Sequence, residues 1–141
     1  MDKIRDIKDR FYTPEAYSVY AESMYMPTWE KFDKRAREYL GKETVSVFGF
    51  IEEGHIVGII AVELLGRDSA EIRGIAVDSA YRKCGIGKQL VQYVCKQLSL
   101  SELLAETDDD AVGFYRRCGF ETEEFIRDKK YKRYRCVLRV V

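Results

Sequence analysis

A basic turn with two glycines lies near the middle of the chain, between an apolar run and an amphipathic helical pattern. Glycine permits positive φ angles and allows backbone N–H groups to come close to a ligand. The unpaired N–H groups and the dipole at a helix N-terminus favour bound anions. The pattern therefore predicts a phosphate-binding turn, although a glycine turn with solvated charges would have the same composition. The residues concerned are Arg82, Lys83, Cys84, Gly85, Ile86, Gly87 and Lys88.

Two common phosphate-binding motifs do not fit this turn. A Walker A loop requires glycine at the position of Arg82 and Ser or Thr at the position of Gln89. A dinucleotide fingerprint requires a third glycine where the chain has Leu90. The pattern that the residues of this turn do form is Arg-x-x-Gly-x-Gly after a strand.

Two stretches of the chain together resemble a known family. The stretch IRGIAVDSAYRKCGIGKQL resembles the acyl-CoA pyrophosphate motif of the GNAT superfamily of N-acetyltransferases, a strand, then (Arg/Gln)-x-x-Gly-x-(Gly/Ala), then a helix. Further on, AETDDDAVGFYRRCGF resembles the second motif of that family, a strand and a helix that ends in Gly-Phe. The matching positions of the second motif are Ala111, Phe114, Tyr115, Gly119 and Phe120.

The resemblance implies further contacts with acetyl-CoA. In the family the pantetheine arm lies along the central strand, here beside Ile75, Ala76 and Val77, and N–H groups of a bulge around residues 74–76 polarise the thioester carbonyl. The family often has Asn three residues before Ala111, and this chain has Asp108 there. An acid cannot donate through an amide, so this cofactor contact departs from the family pattern.

Two residues are candidates for proton transfer. An amine with a pKa of about 10 is mostly protonated at pH 7, so a carboxylate or a water chain must accept its proton. By resemblance Glu71 is that base, although an exposed acid at a strand end would occupy the same place. Tyr115 is by resemblance the acid that protonates the leaving thiolate, although it also fits a core aromatic on a helical face.

Elements that would position these residues can be read from the hydrophobic pattern. Residues 3–7 predict a short strand, and Thr13-Pro14-Glu15 predicts a capped helix to about Tyr25. Thr28 caps a second helix that ends at Gly41. Its predicted buried face comprises Trp29, Phe32, Ala36, Tyr39 and Leu40.

Strands and helices in the second half follow from the same pattern. Residues 44–51 and 56–65 predict a hairpin with His55 in its turn, where a lone histidine is usually just exposed. A third antiparallel strand covers residues 71–77, and a helix to about residue 100 and a strand at 103–106 predict a parallel pair. Asp108, Asp109 or Asp110 caps the next helix, and residues 120–127 and 133–141 form a final hairpin.

Length and composition limit the classes of function. The chain of 141 residues predicts a single domain, residues 1–141, with enough core to fold without disulfides. Net charge is zero, which argues against nucleic acid as a partner of the whole domain. No stretch is long and apolar enough for a membrane span, and the spacing of the four cysteines, with one histidine, predicts no metal site. Reduced thiols in a cytoplasmic protein are expected.

The prediction is therefore an α/β fold of GNAT type, with a mixed, mostly antiparallel sheet flanked by helices and a parallel pair at the acyl-CoA site. The predicted function is transfer of the acetyl group of acetyl-CoA to an amine by direct attack, with a small molecule or a peptide as acceptor. A noncatalytic acyl-CoA-binding regulatory module is the first alternative. An RNA-associated domain that uses the basic run at residues 129–135 is a more remote one. The residues do not fix the oligomeric state, and a homodimer stays open.

Overall fold

A seven-stranded mixed sheet forms the centre of the molecule in the computed structural model, which describes residues 3–140. Its strands are β1 (Ile4–Asp6), β2 (Val45–Glu52), β3 (His55–Leu64), β4 (Ser69–Val77), β5 (Glu102–Thr107), β6 (Glu121–Arg127) and β7 (Tyr131–Arg139). They lie in the order β1-β2-β3-β4-β5-β7-β6. Within the described residues, only β4 and β5 pair in parallel, and α3 lies between them in the chain. The predicted fold class is confirmed.

Four α-helices flank the sheet: α1 (Pro14–Tyr20), α2 (Trp29–Leu40), α3 (Ile86–Gln97) and α4 (Val112–Arg117). The hydroxyls of Thr13 and Thr28 cap α1 and α2 by accepting the N–H groups of Ala16 and Lys31, as their sequence predicts. Gly119, with φ of +95°, follows the end of α4 in the left-handed conformation that glycine adopts without a Cβ penalty.

The helices cover the two faces of the sheet with separate apolar cores. α1 and α2 pack on one face with residues such as Tyr20, Phe32, Ile59 and Ala61. α3 and α4 pack on the other face together with alternate residues of the central strands. β4 contributes to both cores, since Ala76 lies in the first and Ala70 and Ile72 in the second.

Two details of the first helices differ from the sequence-based prediction. α1 ends at Tyr20 rather than near Tyr25, and a 3₁₀ turn at Ala21–Ser23 follows, where the Ser23 hydroxyl donates to the Tyr20 carbonyl. Trp29 and Leu40 were expected on the buried face of α2 but are 40% and 41% exposed. They lie in the first and last turns of the helix, at the rim of the core formed by its middle turns.

The C-terminal hairpin begins its second strand at Tyr131, two residues earlier than predicted, because residues 128–130 suffice for the turn. The predicted end of this strand at residue 141 lies outside the described residues. Within residues 3–140, no helix is both long and apolar enough to cross a membrane. All four cysteines are free thiols.

Candidate active site

β4 and β5 separate from each other partway along the sheet. Their parallel pairing covers Ser69↔Glu102, Ala70↔Leu103 and Glu71↔Leu104 and ends there. Beyond Glu71, β4 pairs with β3 only, and beyond Leu104, β5 pairs with β7 only. The edge of β4 that carries Ile75, Ala76 and Val77 is therefore open, with backbone groups available to an extended ligand.

A β-bulge lies in β4 beside this opening, at Arg73. Gly74 pairs with Ala61 and Ile72 pairs with Val62, so Arg73 is the extra residue. The sequence-based prediction placed the bulge around residues 74–76, and it was wrong by one residue. Gly74 packs against Tyr20 of α1, since a Cβ on Gly74 would be 2.0 Å from the Tyr20 hydroxyl oxygen. Glycine allows this close approach, and the extra residue of the bulge is the preceding Arg73.

The turn before α3 presents a row of free backbone donors. The N–H groups of residues 83–88 donate to no atom of the described chain, and the first helical bond runs from the Gln89 N–H to the Gly85 carbonyl. Lys83 and Gly85 adopt positive φ angles of 65° and 77°. Consecutive N–H groups in such a turn, at the N-terminus of a twelve-residue helix, form a concave anion-binding surface.

The two glycines of this turn differ in their surroundings. A Cβ on Gly85 would meet only the Gln89 side chain, at 4.0 Å, so the space above the turn is open. A Cβ on Gly87 would lie 2.7 Å from the ring of Phe114. The missing side chain of Gly87 therefore allows α3 to pack against Phe114, while its backbone N–H stays among the free donors of the turn.

Arg82 forms an ion pair within the protein. Its guanidinium lies 3.0 Å from the Glu22 carboxylate, in the 3₁₀ turn after α1. Lys83, Cys84 and Lys88 are exposed around the same turn, whereas Ile86 is buried in the core on the α3 face. The side chain of Arg82 thus connects the turn before α3 to the segment between α1 and α2.

Tyr115 has a buried ring and an accessible hydroxyl. The ring packs edge-on against Phe114 and Phe120, each with centroids 5.2 Å away. Within the described residues, no side-chain nitrogen or oxygen is both buried and unbonded, and the Tyr115 hydroxyl has no hydrogen-bond partner there, so its oxygen reaches solvent. Burial raises the pKa of the hydroxyl. Tyr115 therefore stays protonated at neutral pH and can donate.

Glu71 lies at the last paired position before β4 and β5 separate, on the opposite face from Ala70 and Ile72. Its Oε1 forms an ion pair of 2.8 Å with Arg73. Arg73 also binds Glu63 through two guanidinium nitrogens, at 2.9 and 2.5 Å. Within residues 3–140 the Glu71 carboxylate has no partner other than Arg73, and it can accept a proton or a further hydrogen bond.

Asp108 organises the turn before α4. Its Oδ1 accepts the N–H groups of Asp110 and Ala111, each at 3.1 Å, and its carbonyl accepts the N–H of Val112. The N-cap position of α4 is Ala111 rather than one of the three aspartates, and Asp108 bonds the turn that precedes the helix.

A pair of buried tyrosines beneath the bulge was not predicted from the sequence as part of a site. Tyr20 of α1 and Tyr39 of α2 share a hydrogen bond of 3.1 Å between their hydroxyls. Burial raises the pKa of Tyr20 well above its ordinary value, and the Tyr39 and Tyr115 hydroxyls add to this effect. The indication in the sequence was Gly74, since a glycine inside a strand often marks a close approach.

Two other candidates lie away from this opening. His55 is exposed at the start of β3, with Nδ1 3.5 Å from Glu15. The basic run is partly neutralised, since Lys132 pairs with Asp109 and Glu124, and Arg133 pairs with Glu106. These ion pairs fit a charged hairpin better than a nucleic-acid surface.

Comparison with known proteins identifies the family by sequence. A model of the acetyltransferase (GNAT) family matches residues 2–120. No curated protein matches the chain in a sequence search.

Solved structures share the fold at low sequence identity. The ribosomal-protein-S18-alanine N-acetyltransferase from Escherichia coli is 18% identical, with a TM-score of 0.76 over 99% of this chain and 94% of that one. An aminoglycoside 6'-N-acetyltransferase complexed with coenzyme A is 14% identical, with a TM-score of 0.78 over 98% and 97%. A protein from Elizabethkingia anophelis with acetyl-CoA bound is 19% identical, with a TM-score of 0.66 over 91% and 92%.

Proposed function

The chain belongs to the GNAT acetyltransferase family, and from that premise we propose that it transfers the acetyl group of acetyl-CoA to an amine, with Tyr115 as acid and Glu71 or a water chain as base. The observation that carries the proposal is the combination of free N–H donors at the start of α3 with the open edge of β4. An anion-binding turn and an unpaired strand edge together suit a ligand with a phosphate end and an extended amide-bearing arm.

The residues present fit acetyl-CoA. The N–H groups of residues 83–88 would hold the diphosphate, with Lys83 and Lys88 as nearby cations. The positive φ of Gly85 and the open space above it leave the donors accessible. The open edge at residues 75–77 would bind the pantetheine arm, and Asp108 at the turn before α4 is a further candidate contact. When bound, acetyl-CoA supplies an activated acetyl thioester.

Glu71 would act from the α1 and α2 side of the opening. Its carboxylate can accept a proton from an arriving ammonium, directly or through water, which exposes the nitrogen lone pair for direct attack. The ion pair with Arg73 fixes the carboxylate at the separation of β4 and β5. The unpaired N–H groups of β4 in and after the bulge would stabilise negative charge on the carbonyl oxygen.

Tyr115 would act from the α3 and α4 side. A phenol kept protonated by burial can give its proton to a departing thiolate, whose ordinary pKa is about 8.5. Acid and base would therefore approach the reacting atoms from opposite faces.

The test is acetyl transfer by the purified protein to a panel of amines, read as release of free thiol, beside calorimetry with CoA. Transfer supports the proposal. Binding of CoA with no transfer to any amine would instead favour a noncatalytic binding module.

Replacement of Tyr115 by phenylalanine separates catalysis from packing. Tyr115→Phe keeps the ring between Phe114 and Phe120 and removes only the hydroxyl. We expect kcat to fall by roughly 10²–10⁴ with CoA affinity almost unchanged, the usual scale for loss of a general acid. Tyr131→Phe, at an exposed tyrosine, is the matched control and should be silent. Full activity of Tyr115→Phe would rule out this acid role.

A further inference from the structure

A small pocket lies between α2 and the bulge of β4. Its volume is about 320 Å³, and its lining residues are Arg35, Glu38, Tyr39 and Arg73. This volume is at the lower end of the range of small-molecule sites, so the pocket suits part of a small metabolite. None of its residues was a candidate in the sequence.

Among the four residues that line the pocket, Arg35 is the one whose hydrogen-bond donors have no protein partner within residues 3–140. It is half-buried, and within residues 3–140 its guanidinium forms no hydrogen bond or ion pair. Glu38, on the next turn of α2, pairs with Lys42 instead. A guanidinium has five N–H donors in a planar arrangement that matches a carboxylate, and here these donors point to no protein acceptor.

Two guanidinium groups, those of Arg35 and Arg73, line the pocket together with Tyr39. Burial raises the pKa of Tyr39, and the hydrogen bond with Tyr20 and the positive charges of Arg35 and Arg73 oppose that rise. Arg73 is already neutralised by Glu63 and Glu71. Arg35 is therefore the cation of the pocket that forms no ion pair with a carboxylate within residues 3–140.

The pocket is connected to the proposed reaction centre through Arg73. The same side chain that lines the pocket holds Glu71 at 2.8 Å, and Tyr39 is hydrogen-bonded to the Tyr20 hydroxyl beneath Gly74. A molecule in the pocket thus lies beside the carboxylate that would accept a proton from the acceptor amine.

We propose that the acceptor of this enzyme is a small zwitterionic amine, whose carboxylate binds Arg35 in this pocket while its amine is presented to Glu71. The inference rests on the proposed function. A monoanionic carboxylate matches a single guanidinium that forms no ion pair, whereas a phosphate dianion would be repelled more strongly by Glu38, Glu63 and Glu71 nearby. A polycationic acceptor would have to bring more positive charge to Arg35.

The experiment measures kcat/KM for matched pairs of acceptors that differ only in the carboxylate. Each pair consists of an amino acid and either its amide or the corresponding decarboxylated amine. The panel includes α-, β- and γ-amino acids, which vary the distance between the amine and the carboxylate. It also includes an amine that carries a phosphate in place of the carboxylate. Wild type and Arg35→Gln are compared. Lys34→Gln is the control, an equal change of charge at the neighbouring exposed position of α2.

We expect wild type to prefer the carboxylate-bearing member of at least one pair, and Arg35→Gln to lose roughly ten- to a hundredfold in kcat/KM for that member alone. The decarboxylated amine reports on folding and chemistry, so its rate should be unchanged in the variant. Equal rates within every pair, preference for the phosphate-bearing amine, or an equal loss for both members in Arg35→Gln would overturn the inference and leave the proposed function in place. Absence of transfer to every amine would overturn both.

Discussion

Gly85 and Gly87 are two residues apart, yet an added Cβ would meet open space at the first and the ring of Phe114 at the second. The constraint at Gly85 is its φ of +77°, which costs a residue with a Cβ roughly 1–2 kcal/mol. At Gly87 the constraint is contact between α3 and α4. The same substitution should therefore have different consequences at the two positions.

Gly85→Ala should weaken CoA binding by roughly tenfold, because strain displaces the free N–H groups, and the strain of about 1–2 kcal/mol should also lower the Tm by a few degrees. Gly85→Asn is the control and should lose less, since asparagine enters the left-handed region more easily. Gly87→Ala should lower the Tm, and Phe114→Leu in the same chain should restore part of it. Calorimetry with CoA and thermal melts measure these effects. Equal loss of CoA affinity in both alanine variants, with unchanged melts, would contradict this distinction.

At the scale of elements, the ion pair between Glu22 and Arg82 joins the segment after α1 to the turn before α3. Bound phosphate would compete with Glu22 for the guanidinium. Glu22→Gln should therefore tighten CoA binding by roughly two- to fivefold at low salt, the scale of an exposed ion pair. The gain should fall as salt rises.

Calorimetry at two salt concentrations measures this effect. Glu30→Gln, an equal change of charge at an exposed residue in the first turn of α2, should leave CoA affinity unchanged. Weaker CoA binding in Glu22→Gln would show instead that the ion pair holds Arg82 in its binding position.

The sequence predicted most elements because their patterns are local. Thr13 and Thr28 cap their helices through atoms three residues away, and the apolar runs of β2 and β3 on either side of a Glu-Glu-Gly-His turn need no knowledge of the rest of the chain. The bulge at Arg73 was misplaced because its position depends on Tyr20, which is distant in sequence. The end of α1 was misplaced for a local reason, a competing bond from the Ser23 hydroxyl.

The site shows the same division. The motif residues around Gly85 and Tyr115 could be proposed from spacing, whereas Arg35 could not. Its distinction is the lack of a carboxylate partner, and that depends on Glu38 pairing with Lys42 and on Arg73 pairing with Glu63 and Glu71. No local pattern determines which of several charged residues stays unpaired after folding.

At the scale of the whole molecule, ion pairs add to the backbone pairing and core contacts that join the C-terminal hairpin to β5. Glu106 of β5 accepts hydrogen bonds from Arg127 of β6 and Arg133 of β7. Burial alone would raise the pKa of Glu106, but the two arginines outweigh burial and hold the pKa below its ordinary value of 4.5. Because the pKa of Glu106 is lower in the folded state than in the unfolded state, its ionised carboxylate stabilises the fold at pH values above the unfolded pKa. This contribution to the free energy of unfolding is lost as pH falls through the folded pKa.

Glu106→Gln should lower the Tm at pH 7 by roughly 1–4 °C and should flatten the loss of stability below pH 4.5. Thermal melts as a function of pH measure both effects. Glu123→Gln, on the same hairpin and exposed, is the matched control and should keep the wild-type pH profile. A Glu106→Gln profile parallel to that of wild type would show that these arginines do not stabilise the fold.

The central claim is that the free N–H groups at the start of α3 and the open edge of β4 form one acyl-CoA site. Amide hydrogen exchange followed by NMR, with and without CoA, tests it at individual residues. CoA should slow exchange roughly tenfold or more at N–H groups among residues 83–88 and at one or more of residues 75–77, while the turn at residues 128–130 stays unchanged. Binding of CoA with unchanged exchange at both segments would contradict the claim.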